Sequence, residues 1–365
     1  MEFDLGFVGG GQLARMSIMA AQRMGFRCLS LDPGIATPAS EIAPALVGPL
    51  DDVDRLVELF TNCRRVTLEN EFVPANALAD AILRSGRAPR DLVPGHECLA
   101  TIQDKLRQRQ AYARAGVPSP RAVPLADADQ IGWPRVYKAR FGGYDGKGTR
   151  TARTPEDLAG FRDDLTDDWL VEEFVPFRRE LAVMVFRSAT DAACFPTMET
   201  RQVNHVCDLV FPADVDAREI ALAAVEAVGG FGLFGVELFE EESGRLSVNE
   251  IAPRPHNTGH YTLDWGGVSQ FEQHVRLALG LPCARPSGQP AAMANLLGQP
   301  GAGHWRHGLA AALEAAPGAH VHWYGKSESR PGRKMGHINA VGPDARATVE
   351  KARAAFYAAW APSAG

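Results

Sequence analysis

Apolar positions in the first hundred residues alternate between two rhythms. Short continuous runs, FDLGFV at 3–8, CLSLD at 28–32 and VTLE from Val66, read as buried parallel strands. Between the first two, Leu13, Met16, Met19, Ala20 and Met24 recur at helical spacing and stop at Gly25. This βαβ order predicts a parallel sheet with helices on both faces. TIQDKLRQRQAYARA, 101–115, reads as one helix closed by Gly116 and Pro118, and the Pro-rich VPSPRAVP follows as a connector. RVYKAR, WLVEEFV and LAVMVF then predict strands of a smaller unit. From about residue 180 the chain is strand-rich, with helices expected near 216–229 and 268–279 and a loop over the Ala/Pro-rich 283–292. The pattern divides the chain into 1–100, a Rossmann-like parallel-sheet domain; 101–180, a linker helix with a small central domain; and 181–365, a larger α+β domain.

The strand-to-helix turn Gly9-x-Gly11-x-x-Ala14, with Asp32 ending the next strand, satisfies a dinucleotide fingerprint on paper. The plainer reading is a tight turn whose helix N-terminal amides bind a phosphate, and the unit is short for a full dinucleotide fold. A second glycine cluster, FGGYDGKG at 141–148, places four glycines in eight positions. Such a loop packs no core. It exposes amides to an anion and allows hinging.

GVELFEEESGRLSVNE, 235–250, reads as a hairpin centred on a two-residue turn, Ser243-Gly244. In that register Glu237 faces Glu250, with side chains about 5 Å apart at Cβ. Opposed carboxylates call for a cation, and Mg²⁺ suits oxygen ligands that it shares with phosphates. Asn249 adds an oxygen beside them. The plain alternative is a surface hairpin with two solvated acids. Glu69 and Glu71 fall on one face of VTLENEF by period-two alternation, near a strand's C-terminal end, where open α/β sheets bind ligands. His256 and His260 stand four apart, but Pro255 and Gly259 argue against a helix, and hence a zinc site, between them.

Charge and composition narrow the function. A formal net charge of −6 argues against a broad nucleic-acid surface and leaves phosphate binding to local basic clusters. KSESRPGRK supplies such a cluster with Lys326, Arg330, Arg333 and Lys334 around a Pro-Gly turn. Six scattered cysteines without a C-x-x-C pair read as reduced thiols in a cytoplasm. No apolar run approaches 18 residues, so neither export nor membrane spanning is expected.

In order along the chain, Lys105, Lys138, the loop 142–148, Glu172-Glu173, Glu237 and Glu250 before NEIAPRPH resemble the ATP-grasp superfamily. GGYDGKG, NEIAPRPHNTGHYT with SQFEQHVR, and HWYGKSESRPGRKMGHI at 322–338 resemble, more narrowly, the N5-carboxyaminoimidazole ribonucleotide synthetase family. That resemblance implies an ATP-grasp fold whose central domain is a lid, and carboxylation of 5-aminoimidazole ribonucleotide with ATP and bicarbonate through carboxyphosphate. It also implies Mg²⁺, with Mn²⁺ as a substitute, on Glu237 and Glu250, and a homodimer. For ATP it implies Lys105 and Lys138 on the phosphates, Glu172, Glu173, Phe174 and Val175 at the adenine, Glu180 at the ribose, and Asn249 beside the metal. For bicarbonate and the ribonucleotide it implies Gly11, Gln12, Leu13, one of Glu69 and Glu71, Tyr144, Asp145, Lys147, Arg254, His256, Asn257, Lys326, Arg333 and Lys334. Among these Arg254, His256, Asn257, Asp145 and Lys147 carry the chemistry. One departure is the segment ETRQVNHV, where the family runs E-N-x-H, and His205 is left without a role. Two other classes fit parts of the pattern. Another ATP-grasp ligase, a formate-dependent purine transformylase or biotin-type carboxylase, should lack RPGRKMGH. A nucleotide-binding oxidoreductase or sensor would rest on the first glycine turn alone.

Overall fold

The computed structural model describes residues 1–143, 148–301 and 303–360. Five strands, β1 Phe3–Val8, β2 Cys28–Asp32, β3 Ala45–Val47, β4 Cys63–Leu68 and β5 Leu92–Val93, form a parallel sheet in the order β3-β2-β1-β4-β5. Leu5, Phe7, Val8, Leu31, Val66 and Leu68 are buried along the central strands, as a sheet covered on both faces requires. The helices are α1 Gln12–Arg23, α2 Val53–Asn62, α3 Ala75–Arg84 and α4 His96–Gln103.

The expected single helix over 101–115 is two. α4 ends at Gln103, and α5, Lys105–Ala115, starts afresh. Asp104 has extended backbone between them and caps α5 by accepting from the Leu106 and Arg107 amides. Its carboxylate also takes a two-point ion pair from Arg140, at 3.0 and 2.6 Å. A local cap and a tertiary partner together thus divide what helical spacing alone reads as one helix. α5 closes at Gly116 in the left-handed region, as expected.

A four-stranded antiparallel sheet follows, in the order β6-β9-β7-β8: β6 Ala122–Pro124, β7 Arg135–Ala139, β8 Thr149–Ala152 and β9 Trp169–Glu173, with the short α6 Pro155–Ala159. The end of the Pro-rich connector is therefore its edge strand β6, where a proline costs no ladder bond.

The remaining strands form a nine-stranded antiparallel sheet: β10 Phe177–Arg187, β11 Ala192–Cys194, β12 Met198–Val203, β13 Val206–Pro212, β14 Gly232–Glu241, β15 Leu246–Ala252, β16 Ala291–Leu297, β17 His320–Trp323 and β18 Lys334–Val341. β15 is one edge, paired to β14. α7 Arg218–Val228 packs its buried face on β10 and β14. α8 Gln270–Leu279 joins this sheet to the first one by packing on α1. There Leu13 and Met16 meet Phe271 and Tyr324. α9 Trp305–Ala315 and α10 Ala345–Trp360 cover the far end, around β16 and β18. Pro255 and Gly259 do not prevent helical structure: a 3-10 helix runs over Asn257–Leu263. Among the described residues no helix is long and apolar enough to cross a membrane.

Candidate active site

The hairpin β14–β15 sets the site, and it is built differently from the expectation. The two-residue turn is wrong. The Glu241 amide bonds to the Arg245 carbonyl, so residues 242–244 form a three-residue loop, with Gly244 at φ +81°. Near the turn the register is Leu238 with Val248 and Phe239 with Ser247. It shifts by one residue between Glu237 and Leu238, and past that point Glu237 does face Glu250. The extra residue is Asn249. This β-bulge offsets the longer loop and brings Asn249 and Glu250, neighbours in sequence, to the same cleft.

Two clefts meet at these carboxylates. The larger, about 990 Å³, lies between the four-stranded sheet and the nine-stranded sheet. The smaller, about 570 Å³, lies where the glycine turn before α1 and the loop after β4 approach the nine-stranded sheet. Gly143, Glu237, Glu250, His256, Asn257 and Lys334 line both. Every residue proposed from sequence for ATP lines the larger cleft: Lys105, Lys138, Glu172 to Val175, Glu180 and Asn249. Those proposed for the second substrate line the smaller: Gly11 to Leu13, Glu69, Glu71, Arg254, His256, Asn257, Lys326, Arg333 and Lys334. Tyr144, Asp145 and Lys147 lie outside the described residues. Gly143, just before them, lines both clefts.

In the larger cleft, Lys105 Nζ donates to Glu250 Oε1 at 2.6 Å. Burial would lower the Lys105 pKa, but the Glu250 carboxylate overrides it and holds the ammonium up; Lys105 in turn holds Glu250 down against its own burial. Lys138 Nζ lies 2.8 Å from Glu172 Oε2 and donates to Asn249 Oδ1 at 3.3 Å. Glu172 is buried, yet Arg109 and Lys138 pull its pKa down to about 2. Glu180 is raised by burial. His205 also lines this cleft, at the tip of the β12–β13 hairpin with φ +63°.

In the smaller cleft the expected strand alternation does not hold. β4 stops at Leu68, so Glu69 and Glu71 sit on the loop beyond it. The fold separates their roles. Glu71 forms a two-point ion pair with Arg254, through Nη2 at 2.6 Å and through Nε. Glu69 Oε1 instead accepts from the Leu13 amide at the start of α1, at 3.4 Å, and a Cβ on Gly11 would run into it. Burial, partly countered by Arg254, raises Glu69 to about 7. Asp32 turns inward to accept from the Gly10 amide at 2.8 Å and the Gly34 amide at 2.8 Å. The paper fingerprint for a dinucleotide ribose is thus occupied by the turn itself.

His256 is held down to about 3 by burial and by the Arg254 and Lys334 cations, so it is neutral near pH 7. Its Nδ1 meets Thr258 Oγ1 at 2.9 Å, and Nε2 lies 3.8 Å from Glu237 Oε1. Asn257 exchanges bonds with Asn295 at 3.0 and 2.7 Å. Lys326 donates to the Lys334 carbonyl at 2.7 Å, and burial with the Arg333 charge lowers it to about 8. Arg333 donates to the Glu328 carbonyl at 2.9 Å, whereas Arg330 of the same turn does not reach the cleft.

The carboxylate pair fits Mg²⁺. Among the described residues no group of three or more His, Cys, Asp or Glu forms a metal cage. Two opposed carboxylates with an amide oxygen nearby is the incomplete oxygen set that this ion completes with water and phosphate. Sequence reading overlooked Arg109, Arg178 and Arg179, all lining the larger cleft. Arg109 had a signal: it stands four residues after Lys105, on the same face of one helix.

Comparison with known proteins covers nearly the whole chain. Residues 2–103 match the ribonucleotide synthetase preATP-grasp domain, 115–271 the ATP-grasp domain, and 291–351 the phosphoribosylaminoimidazole carboxylase C-terminal domain. The chain is 43% identical to an N5-carboxyaminoimidazole ribonucleotide synthase of Synechococcus elongatus, over 92% of this chain and 88% of that one. It is 39% identical to the enzyme of the same name from Mycobacterium tuberculosis, over 96% and 86%. A Thermotoga maritima N5-carboxyaminoimidazole ribonucleotide synthetase structure superposes with a TM-score of 0.84 at 36% identity, covering 96% of each chain. An Aspergillus clavatus synthase in complex with ADP and 5-aminoimidazole ribonucleotide superposes at 0.87 and 29% identity, covering 97% of this chain and 98% of that one. The C-terminal match favours this reading over a transformylase or a biotin-type carboxylase. With its fold and its sequence agreeing over nearly the whole chain, the chain belongs to the N5-carboxyaminoimidazole ribonucleotide synthase family of ATP-dependent, ATP-grasp ligases.

Proposed function

We propose that the chain carboxylates 5-aminoimidazole ribonucleotide on its exocyclic amine, using bicarbonate and ATP, and that each cleft holds one nucleotide. The observation that carries this is the shared wall: both clefts end on Glu237 and Glu250. A γ-phosphate reaching that wall from the larger cleft lies within reach of a substrate in the smaller one.

Lys105 and Lys138 bind the ATP phosphates as point charges. The end of β9 takes the adenine: the Glu173 and Val175 backbone meets its edge, and Glu172 has lone pairs left for the exocyclic amine. Glu180 accepts from the ribose. Glu237 and Glu250, with Asn249, would hold Mg²⁺, which neutralises phosphate charge when bound. Lys326, Arg333 and Lys334 bind the ribonucleotide 5′-phosphate, and Glu69 rather than Glu71 meets its hydroxyls or amine, because Glu71 is committed to Arg254.

A bicarbonate oxygen attacks the γ-phosphorus in line, ADP leaves, and carboxyphosphate forms. The exocyclic amine then attacks the carboxyl carbon, or the CO₂ released from it, and inorganic phosphate departs. Phosphoryl transfer of this kind needs positioning and charge more than covalent help. Arg254, fixed by Glu71, supplies the cation for the carboxylate, and neutral His256 and Asn257 supply donors beside it. Tyr144, Asp145 and Lys147, outside the described residues, are assigned to the ribonucleotide by family resemblance. In this reading the three domains are 1–100, 101–180 and 181–365, and family resemblance adds a homodimer. The six cysteines are unpaired, in keeping with a reducing cytoplasm.

ADP release with bicarbonate, measured with and without 5-aminoimidazole ribonucleotide, tests the substrate. At least tenfold stimulation is expected. Equal rates would remove the ribonucleotide assignment.

A further inference from the structure

α5 presents two cations to the metal hairpin, four residues apart. Lys105 reaches the Glu250 side chain, and Arg109 reaches the backbone beneath it. Arg109 is 5% exposed and spends three donor groups on three partners. Nε donates to Glu172 Oε1 at 2.7 Å, Nη1 to the Val248 carbonyl at 3.3 Å, and Nη2 to the Asn249 carbonyl at 2.7 Å. In a regular strand, successive carbonyls point to opposite edges. Here two neighbours accept from one guanidinium, and they are the residues at which the β14–β15 register shifts. β15 is an edge strand, and on the side away from β14 the bulge is held by the Pro118 carbonyl, which accepts from the Val248 amide at 2.8 Å, and by Arg109. The contacts close a ring: Arg109 holds Glu172, Glu172 holds Lys138, Lys138 bonds the Asn249 side chain, and Arg109 bonds the Asn249 carbonyl.

We propose that Arg109 is a positioning residue for the divalent-ion and triphosphate site: its planar fork locks the Asn249 bulge that turns Glu250 toward Glu237, and couples that bulge to Lys138 through Glu172. This rests on the metal reading of the two glutamates. A lysine at 109 would keep the buried positive charge beside Glu172 but could not span both carbonyls. Groups that orient metal ligands from behind typically contribute 10- to 100-fold in metal affinity or activity.

The test is Arg109→Lys in the full chain, with Mn²⁺ binding in the presence of ADP followed by electron paramagnetic resonance, beside Mg²⁺-dependent ADP release. The expected result is a folded protein with Mn²⁺ affinity weakened about tenfold or more and a KM for the ribonucleotide within twofold of wild type. A folded variant with wild-type Mn²⁺ affinity overturns the proposal, as does one in which every KM rises alike. If Arg109→Lys does not fold, Arg109→Gln, which leaves Glu172 paired with Lys138, is read in the same way. Failure of that variant to fold as well makes Arg109 a residue of stability only, and also overturns the proposal. A wild-type chain that releases ADP without a divalent ion would instead remove the metal reading.

Discussion

Single residues in the smaller cleft differ mainly in who else claims them. Glu71 and Glu69 are two positions apart in sequence, yet one is bound by a guanidinium and the other is left against helix amides. Glu69 therefore carries the perturbed charge. Its pKa is about 7 in the folded chain against 4.5 ordinarily, so between these pH values the unfolded chain releases a proton that the folded chain retains. That contribution to stability is fully present below pH 4.5 and is lost as pH rises toward 7. Glu69→Gln removes the titration. Its melting temperature relative to wild type should rise between pH 5 and pH 7.5; a flat or falling difference would mean that Glu69 ionises normally. The sequence signalled that an acid belongs here, but the choice between two acids depended on Arg254, 183 residues away in the chain.

At the scale of elements, the β14–β15 hairpin shows how a correct register can follow from an incorrect turn. The three-residue loop shifts the pairing by one, and the bulge at Asn249 shifts it back. Loop and bulge are physically separate, so their changes should have separate effects. Gly244 has φ +81° and open space around it, and Gly244→Ala should lower stability by about 1 kcal/mol in urea denaturation, leaving ADP release unchanged. Deleting Asn249 would leave Glu250 next to Val248 and still opposite Glu237 in a regular ladder, but would remove the amide beside the pair and the bonds it makes to Lys138 and Arg109, so ADP release should fall about tenfold or more. Retained activity in the deletion would show that the bulge and its amide are dispensable to the site. The break between α4 and α5 was illegible for a related reason. Locally Asp104 offers only a cap to the Leu106 and Arg107 amides; the partner that fixes it there is Arg140, just past the end of β7 in the four-stranded sheet.

Three sheets bring three distant stretches to one place, and the assignment of substrates to clefts belongs to this scale. Arg333 lines the smaller cleft and not the larger. Arg333→Ala should raise the KM for the ribonucleotide about tenfold or more and leave that for ATP within twofold; the reverse split would exchange the two sites. The sequence by itself determined the parallel first sheet, the strand-rich remainder and the family, because buried runs, glycine turns and charged motifs are local and their spacing survives in the chain; it put LAVMVF in the smaller unit, whereas pairing with β12 and β14 makes it part of β10 in the nine-stranded sheet. It also nominated the groups that line both clefts. The tertiary structure alone decided which nominated groups are already paired, where Asp104 breaks a helix, and that Arg109 spans the bulge. Charge pairing and the satisfaction of edge carbonyls depend on distances across the fold, and no periodicity along the chain encodes those distances.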